Sequence, residues 1–458
     1  MAYTTINKSS DHFNTKLYAG SNSTQAVTGV GFQPDWVWIK NRSSTPDHKL
    51  HDAVRGSNKN ISSNTSNAEQ TYTYFNSFDS DGFTLDGNVS DYNQSGSNFV
   101  SWNWKAGGTA PAITYTVKVV SDSGNKYRFD DFGTSAVTLD LQEGGVYTFD
   151  QSDSSNSGHP LRFSTTSNGT HGGGTEYTTG VVVTGTPGNA GAKTVITVAA
   201  SAPTLYYYCT QHSGMGGQAN TNSTFGSSNF GGNIQSTVSA GSTQGFSIVS
   251  YTGTGSNATV GHSLGITPSM IIFKNRDSVT DWRVYHKSLG ATKGLRLSSN
   301  GTEQTSSTYF NDTEPTSSLF TVSTAVDTNE SGSKFIAYCF AEKQGYSKFG
   351  KYTGNGNADG TFVYTGFRPA FLIMKASSAT GNWFIFDSKR DGFNHQNDYL
   401  KANSSDAEVA NERVDLLSNG FKFRTSNSGW NGSGTTYTYM AFAEAPLVGS
   451  NNIPCTAR

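Results

Sequence analysis

Gly31-Phe32-Gln33-Pro34-Asp35-Trp36-Val37-Trp38-Ile39-Lys40-Asn41-Arg42 is an apolar run framed by turn residues. Trp36 to Ile39 are all apolar, and the run stops on Lys40. Such a run fits a central strand buried on both faces, because a half-exposed strand would alternate. The pattern returns as Gly265-Ile266-Thr267-Pro268-Ser269-Met270-Ile271-Ile272-Phe273-Lys274-Asn275-Arg276. It returns again as Gly366-Phe367-Arg368-Pro369-Ala370-Phe371-Leu372-Ile373-Met374-Lys375.

Working outward, each copy opens on an aromatic strand: Phe13 to Tyr18, Phe246 to Tyr251 and Phe349 to Tyr352. Short segments follow at His48 to His51, Trp282 to His286 and Trp383 to Asp387. Each copy closes on an alternating aromatic strand, Phe99 to Trp104, Phe335 to Phe340 and Tyr437 to Phe442. Several short strands per copy, with turn signals between them, predict a β-sandwich or jelly roll. The expected modules span residues 1–108, 246–345 and 346–446, with a tail at 447–458.

Composition agrees with an all-β, multi-domain chain. There are 51 glycines, aromatics make up 12% of the residues and charged residues only 14%. Aromatic and β-branched interiors joined by Gly, Ser, Asn and Asp turns give this balance. A net charge of −2 without a basic run argues against nucleic acid as a partner. No apolar stretch approaches the roughly 20 residues of a membrane-spanning helix. The N-terminus lacks the apolar core of a signal peptide, so cytosolic synthesis is expected. Three widely spaced cysteines, Cys209, Cys339 and Cys455, define no disulfide framework.

Residues 112–217 differ in character and read as an inserted module, preceded by the linker Gly107 to Pro111. Alternating runs at Tyr115 to Val120, Val137 to Leu141, Val146 to Phe149, Thr194 to Val198 and Thr204 to Tyr208 read as antiparallel strands. Residues 218–245, rich in Ser, Asn and Gly, read as a second linker. Within the module lie Gly158-His159-Pro160 and Tyr208-Cys209-Thr210-Gln211-His212-Ser213-Gly214-Met215-Gly216. Two histidines, a cysteine and a weak axial methionine are the donors that tune copper for one-electron transfer. Cys209, His212 and Met215 can wrap one ion from a single loop, with Gly214 and Gly216 freeing the backbone. His159 enters a strand at a suitable place to complete the set. The alternative gives each residue a separate role, with His159 capping a strand, Cys209 in the core and Met215 filling a gap. His171 reads as a loop residue and not a ligand.

Other constellations are weaker. Asp79-Ser80-Asp81-Gly82 lacks the later carboxylates of a calcium loop and reads as a plain turn. His48 and His51 would face opposite sides of a strand. Asp281, Asp312, Glu314, Asp387 and Asp391 are acids that nothing in the sequence pairs across a glycosidic bond. Trp282, Trp383 and Trp430 are candidates for sugar stacking or for core packing, the latter the stronger reading for Trp383. No nucleophile elbow, P-loop or dinucleotide-binding glycine pattern occurs. The chain therefore reads as a non-enzyme, with a carbohydrate-active enzyme as a minor alternative.

Residues 112–217 resemble the cupredoxin (blue copper) family, with the short Cys-x₂-His-x₂-Met form of its ligand loop. That resemblance implies a Greek-key β-barrel and copper held by His159, Cys209 and His212, with Met215 axial. A copper electron-transfer protein is the alternative function it implies. The repeated modules, with Phe78-Asp79-Ser80-Asp81-Gly82-Phe83-Thr84-Leu85 and Ser101-Trp102-Asn103-Trp104, are similar to those in virion proteins of marine tailed bacteriophages. Such modules are often likened to concanavalin-type lectin folds. The resemblance implies a structural virion component, a tail fibre, adhesin or head fibre. Other virion proteins and a host-surface glycan would be its partners, and a homotrimer its assembly by analogy with phage fibres. A reducing cytosol would keep Cys209 a free thiol, ready for metal.

Overall fold

The computed structural model describes residues 4–222, 225–392, 394–445, 447–448 and 454–455, so most of the expected tail at 447–458 lies outside the described residues. The chain is all-β, and its helices among the described residues are single turns of three or four residues. Among the described residues no helix is long and apolar enough to cross a membrane. The chain divides into two compact units, residues 1–106 with 240–257 and 263–458, and residues 107–239 with 258–262.

The first unit holds the three repeats. In module one the run Trp36–Asn41 is buried along its whole length. It lies between Asn98–Trp104 and Lys49–Asp52, and Phe13–Ala19 pairs on the far side of Asn98–Trp104. The register sets Phe13, Trp104, Trp36 and Asp52 in one row. Module two repeats that row as Phe246, Phe340, Met270 and His286. Module three repeats it as Ser347, Phe442, Phe371 and Asp387.

The apolar run serves two cores at once, as successive side chains point to opposite faces. Val37 and Ile39 pack with Val27, Phe83 and Leu85 of module one's own second layer. Trp36, Trp38, Trp102 and Trp104 face the other way, into a core shared by all three modules. There Trp36 stacks on Tyr338 of module two at 4.4 Å. Phe13 meets Phe442 of module three at 5.1 Å, and Phe340 meets Phe442 at 6.1 Å. The repeats therefore form an intramolecular ring with approximate threefold symmetry. Trp282, Trp383 and Trp430 are all at most 1% exposed, so all three are core residues.

The seams between modules repeat as well. The Glu69 amide donates to the Arg276 carbonyl (2.7 Å), the Glu408 amide to Arg42 (2.9 Å) and the Glu303 amide to Ser377 (3.0 Å). At two seams a carboxylate is clamped by two arginines. Glu69 meets Arg55 at 3.1 Å and Arg276 at 2.9 Å, and Glu408 meets Arg390 at 3.0 Å and Arg42 at 2.6 Å. Burial opposes ionisation of Glu69, but Arg55 and Arg276 outweigh it and hold the carboxyl below its usual range. The third seam has Ser377 and Leu289 in place of the arginines, and Glu303 turns to Lys293. The lysine that ends each apolar run has a job too. Lys40, Lys274 and Lys375 are buried, and their ammonium groups donate to the carbonyls of Asn41, Asn275 and Ala376.

Buried histidines make this unit sensitive to acid. His48 accepts from the Trp38 indole N–H (2.8 Å), which leaves Nε2–H to donate to the Lys401 carbonyl (3.0 Å). His51 lies between the Ser57 carbonyl and the Tyr92 hydroxyl, so His48 and His51 do not share a site. Burial lowers the pKa of both rings well below the usual value, and that of His286 to about 4. The unfolded chain thus takes up these protons first as pH falls below about 6.5. The stability linked to these neutral rings is complete above that pH and is lost progressively towards pH 4. For His286 the loss amounts to about 3 kcal/mol. The melting temperature should hold between pH 8 and 7 and fall steadily below 6.5, less steeply in His286→Gln. An unchanged melting temperature down to pH 4.5 would contradict this.

The second unit is a two-layer β structure. One sheet runs Asn125–Phe129, Ala112–Ser121, Val146–Asp150, Lys193–Thr197, Val181–Thr184. The other runs Leu139–Gln142, Gly217–Asn222, Leu205–Cys209, Leu161–Ser164. Two expectations change here. The strands are not all antiparallel: Ala112–Ser121 pairs in parallel with Val146–Asp150, and Leu139–Gln142 with Gly217–Asn222. Leu139–Gln142 lies in the opposite layer, so the chain crosses over and returns in the same direction. Nor are residues 218–245 a linker, since they contain the strands Gly217–Asn222, Ser227–Asn229 and Ser236–Gly241. Their polar residues satisfy buried hydroxyls: Tyr147 meets Ser227 Oγ at 2.7 Å and Tyr115 donates to the Ser228 carbonyl at 2.8 Å.

Candidate metal centre

Strand register assembles the site. Leu161–Ser164 pairs with Leu205–Cys209 so that Leu161 lies opposite Cys209, which sets His159 beside the end of the cysteine's strand. The Thr210 amide then donates to the Pro160 carbonyl at 3.1 Å. The His159 carbonyl accepts from the Tyr127 hydroxyl and from the Gln151 amide, each at 2.9 Å. Gln151 also accepts from the Leu161 amide, so one buried side chain grips the backbone on both sides of Pro160.

Beyond Cys209 the chain turns through His212 to Met215, whose carbonyl accepts from the Tyr127 amide at 3.0 Å. Gly214 has a φ of +71° and donates to Asn168 Oδ1 at 2.7 Å. A Cβ on Gly216 would lie 1.7 Å from the Tyr207 carbonyl oxygen, so only glycine lets the loop return to the sheet. Glycine supplied that close approach, as expected, at Gly216, and the left-handed turn at Gly214.

Three donor atoms converge. Cys209 Sγ lies 3.8 Å from His159 Nδ1 and 3.8 Å from His212 Nδ1, and each of the three residues offers a donor atom within 4.8 Å of the other two. Metal–sulfur and metal–nitrogen bonds of about 2.3 and 2.0 Å at angles near 120° place such donors roughly 3.7 Å apart. The cluster therefore has the dimensions of a shared ion. Cys209 is fully buried, His159 half-buried and His212 exposed. Burial, and then the neighbouring His212, lower the pKa of His159, which favours the neutral ring that can ligate. Met215 is 1% exposed and belongs to the same apolar cluster as Cys209. Two imidazoles and one thiol are donors that a transition metal such as copper or zinc accepts.

His171 is not among the converging donors. It sits on the turn Gly169–Gly172, and its Nε2 lies 3.0 Å from the Cys209 carbonyl, so it fixes the cysteine's backbone from outside. That role, and those of Tyr127 and Gln151, carry no motif that a single sequence reveals.

The other candidates separate. The Asp81 carboxylate accepts from the Gly31 and Gly29 amides at 2.6 and 2.9 Å, and these bonds hold its pKa below the usual range. It pins a neighbouring loop. Asp387 binds Arg390 and the Trp102 indole, Glu314 binds Tyr285 and the Ala291 amide, and Asp281 binds Arg296. Cys339 is free and buried in the first unit, far along the chain from the cluster.

A family model matches residues 8–136 and 219–446. The stretch between them, 137–218, contains His159, Cys209, His212 and Met215, so the donor cluster lies outside the matched regions. No curated protein and no solved structure matches the chain. The matched model describes DUF7483, a domain of unknown function, and the chain belongs to that family.

Proposed function

We propose that the second unit is a cupredoxin-like module that binds one copper ion through His159, Cys209, His212 and Met215, within a structural component of a phage virion. The observation that carries the metal reading is the convergence of Cys209 Sγ with two histidine Nδ1 atoms at 3.8 Å each. When bound, copper would supply one-electron chemistry. The chain's own residues bury the Cys209 side, leave His159 partly open and leave His212 exposed. Cys209 ties strand Leu205–Cys209 to the loop that returns at Gly217, so a bound ion would also staple this end of the unit.

Titrating the purified protein with copper should give an intense visible charge-transfer band that saturates at one equivalent. Cys209→Ser should abolish that band, and His171→Ala should weaken copper binding without removing it. A colourless protein that takes up no copper sinks the reading.

The virion reading draws its support from the three interlocked modules, a build suited to a durable presenting part and not to a cleft. Its partners would be other virion proteins and a host-surface glycan, and its place the particle's exterior. Antibodies against the chain should label intact particles. A homotrimer is the assembly we propose by analogy with fibres, and the mass in solution tests it. The exposed His212 favours electron transfer as a second reading, tested by reversible reduction of the loaded protein with a soluble donor.

A further inference from the structure

Trp282, Trp383 and Trp430 are buried, but two other rings of the first unit reach solvent. Phe362–Tyr364 is the last strand of its sheet and pairs with Gly420–Phe423. Val363 is 7% exposed and packs in module three's own core, while Phe362 and Tyr364 are 44% and 61% exposed. Successive strand residues point to opposite faces, so the two rings stand side by side on the outer face. The Phe362 ring leans over Gly420, where a Cβ would lie 2.9 Å from its Cε2 and 3.1 Å from its Cζ. Glycine there gives the ring its place against the sheet.

The fold does not require these rings. The register that sets Val363 opposite Phe421 in module three sets Val27 opposite Phe83 in module one. Ala26 and Thr28 therefore hold the places of Phe362 and Tyr364 there. The corresponding strand of module two, Ala258–Gly261, carries no aromatic residue. Module three alone sets two exposed rings on this strand.

Charged groups border the rings and are held in place. Lys422 is the cross-strand partner of Phe362, and its ammonium meets Asp359 Oδ1 at 2.7 Å. Arg424 lies 3.4 Å from the same oxygen and 2.6 Å from Asp415. The loop that carries Asp359 is fixed by asparagines: Asn355 donates to the Asp359 carbonyl and Asn431 to the Asn357 carbonyl, each at 2.9 Å. The Asp359 side chain is 80% exposed, and a carboxylate with about four lone-pair sites keeps the capacity to accept further hydrogen bonds.

We propose that this face binds a saccharide, with sugar rings stacked on Phe362 and Tyr364 and hydroxyls bonded to Asp359 and Lys422. A pyranose has an apolar face of C–H groups, which the negative face of an aromatic ring attracts, and a rim of hydroxyls. Those hydroxyls donate to the carboxylate and accept from the ammonium. Two cations and two carboxylates balance in this network, which favours a neutral ligand over an ion. The two rings expose on the order of 200 Å², against about 800 Å² per partner in a stable protein interface, so the patch suits a small ligand and not a second copy of the chain. The site deepens the attachment reading and rests on it only for where the sugar comes from.

Saturation-transfer NMR on the full chain with cellobiose, N,N′-diacetylchitobiose and lactose tests it. At least one disaccharide should receive saturation. Phe362→Ala and Tyr364→Thr import module one's own residues, so the fold should stay intact by circular dichroism. Each should weaken binding by up to about tenfold, the upper range for one ring contact, and the double variant should abolish it. The proposal is overturned by no transfer to any of the three sugars, or by undiminished binding in the double variant. Concentration-dependent self-association that the double variant removes would assign the rings to a second copy and also overturns it. Purified chain and free sugars keep these outcomes separate from particle labelling, which tests the attachment reading itself.

Discussion

Trp36→Ala should destabilise the first unit by about 3–5 kcal/mol, the range for truncating a buried aromatic side chain. Trp36 is fully buried and contacts rings from two modules: Trp104 at 4.5 Å within its own, and Tyr338, Phe246 and Phe340 at 4.4, 5.7 and 5.8 Å in module two. Its indole nitrogen is buried without a hydrogen-bond partner among the described residues, so truncation removes packing and no polar contact. Aromatic pairs at these separations add about 0.5–1.5 kcal/mol each beyond area burial. The test of the shared core is where the damage appears. Hydrogen exchange should accelerate in Met270–Asn275 and Lys334–Phe340 of module two as well as in module one. Acceleration confined to residues 4–106 would show that the modules fold separately. Phe83→Ala provides the contrast, because Phe83 packs only in module one's own sandwich.

Much of this architecture was legible in the sequence, and particular residues show why. Trp36-Val37-Trp38-Ile39 announces a strand buried on both faces, because no polar residue interrupts it. What covers each face is a matter of long-range packing, and Trp36 carries no local sign that its neighbour is Tyr338, some three hundred positions away. The convergence of Cys209 and His212 was legible because they share one loop, and His159 needed only a strand to carry it there. Residues 218–245 were misread because Ser, Asn and Gly are equally suited to a linker and to strands whose polar side chains serve buried tyrosines.

The largest effect of a single charge should come from Arg55→Leu. Arg55 is buried with Asp52, and its guanidinium also meets Glu69 at 3.1 Å and the Tyr338 hydroxyl at 3.3 Å. Burial works against its charge, but Asp52 and Glu69 more than compensate and raise its pKa. Removing one partner of a buried ion pair leaves an uncompensated charge and costs about 3–5 kcal/mol. Here two carboxylates lose a partner, although Arg276 still holds Glu69 and Tyr338 still donates to Asp52 at 2.7 Å. The third seam has already solved this problem without the pair. Leu289 stands where Arg55 does, and His286, in the place of Asp52, is neutral and donates to the Tyr439 carbonyl at 3.1 Å. Asp52→His combined with Arg55→Leu should therefore recover much of the stability that Arg55→Leu loses. A double-mutant cycle in urea measures the coupling as the shortfall from additivity. If the double variant is as unstable as the sum of the two single ones, the ion pair is not a unit. The neutral seam would then be a separate solution that its surroundings alone make possible.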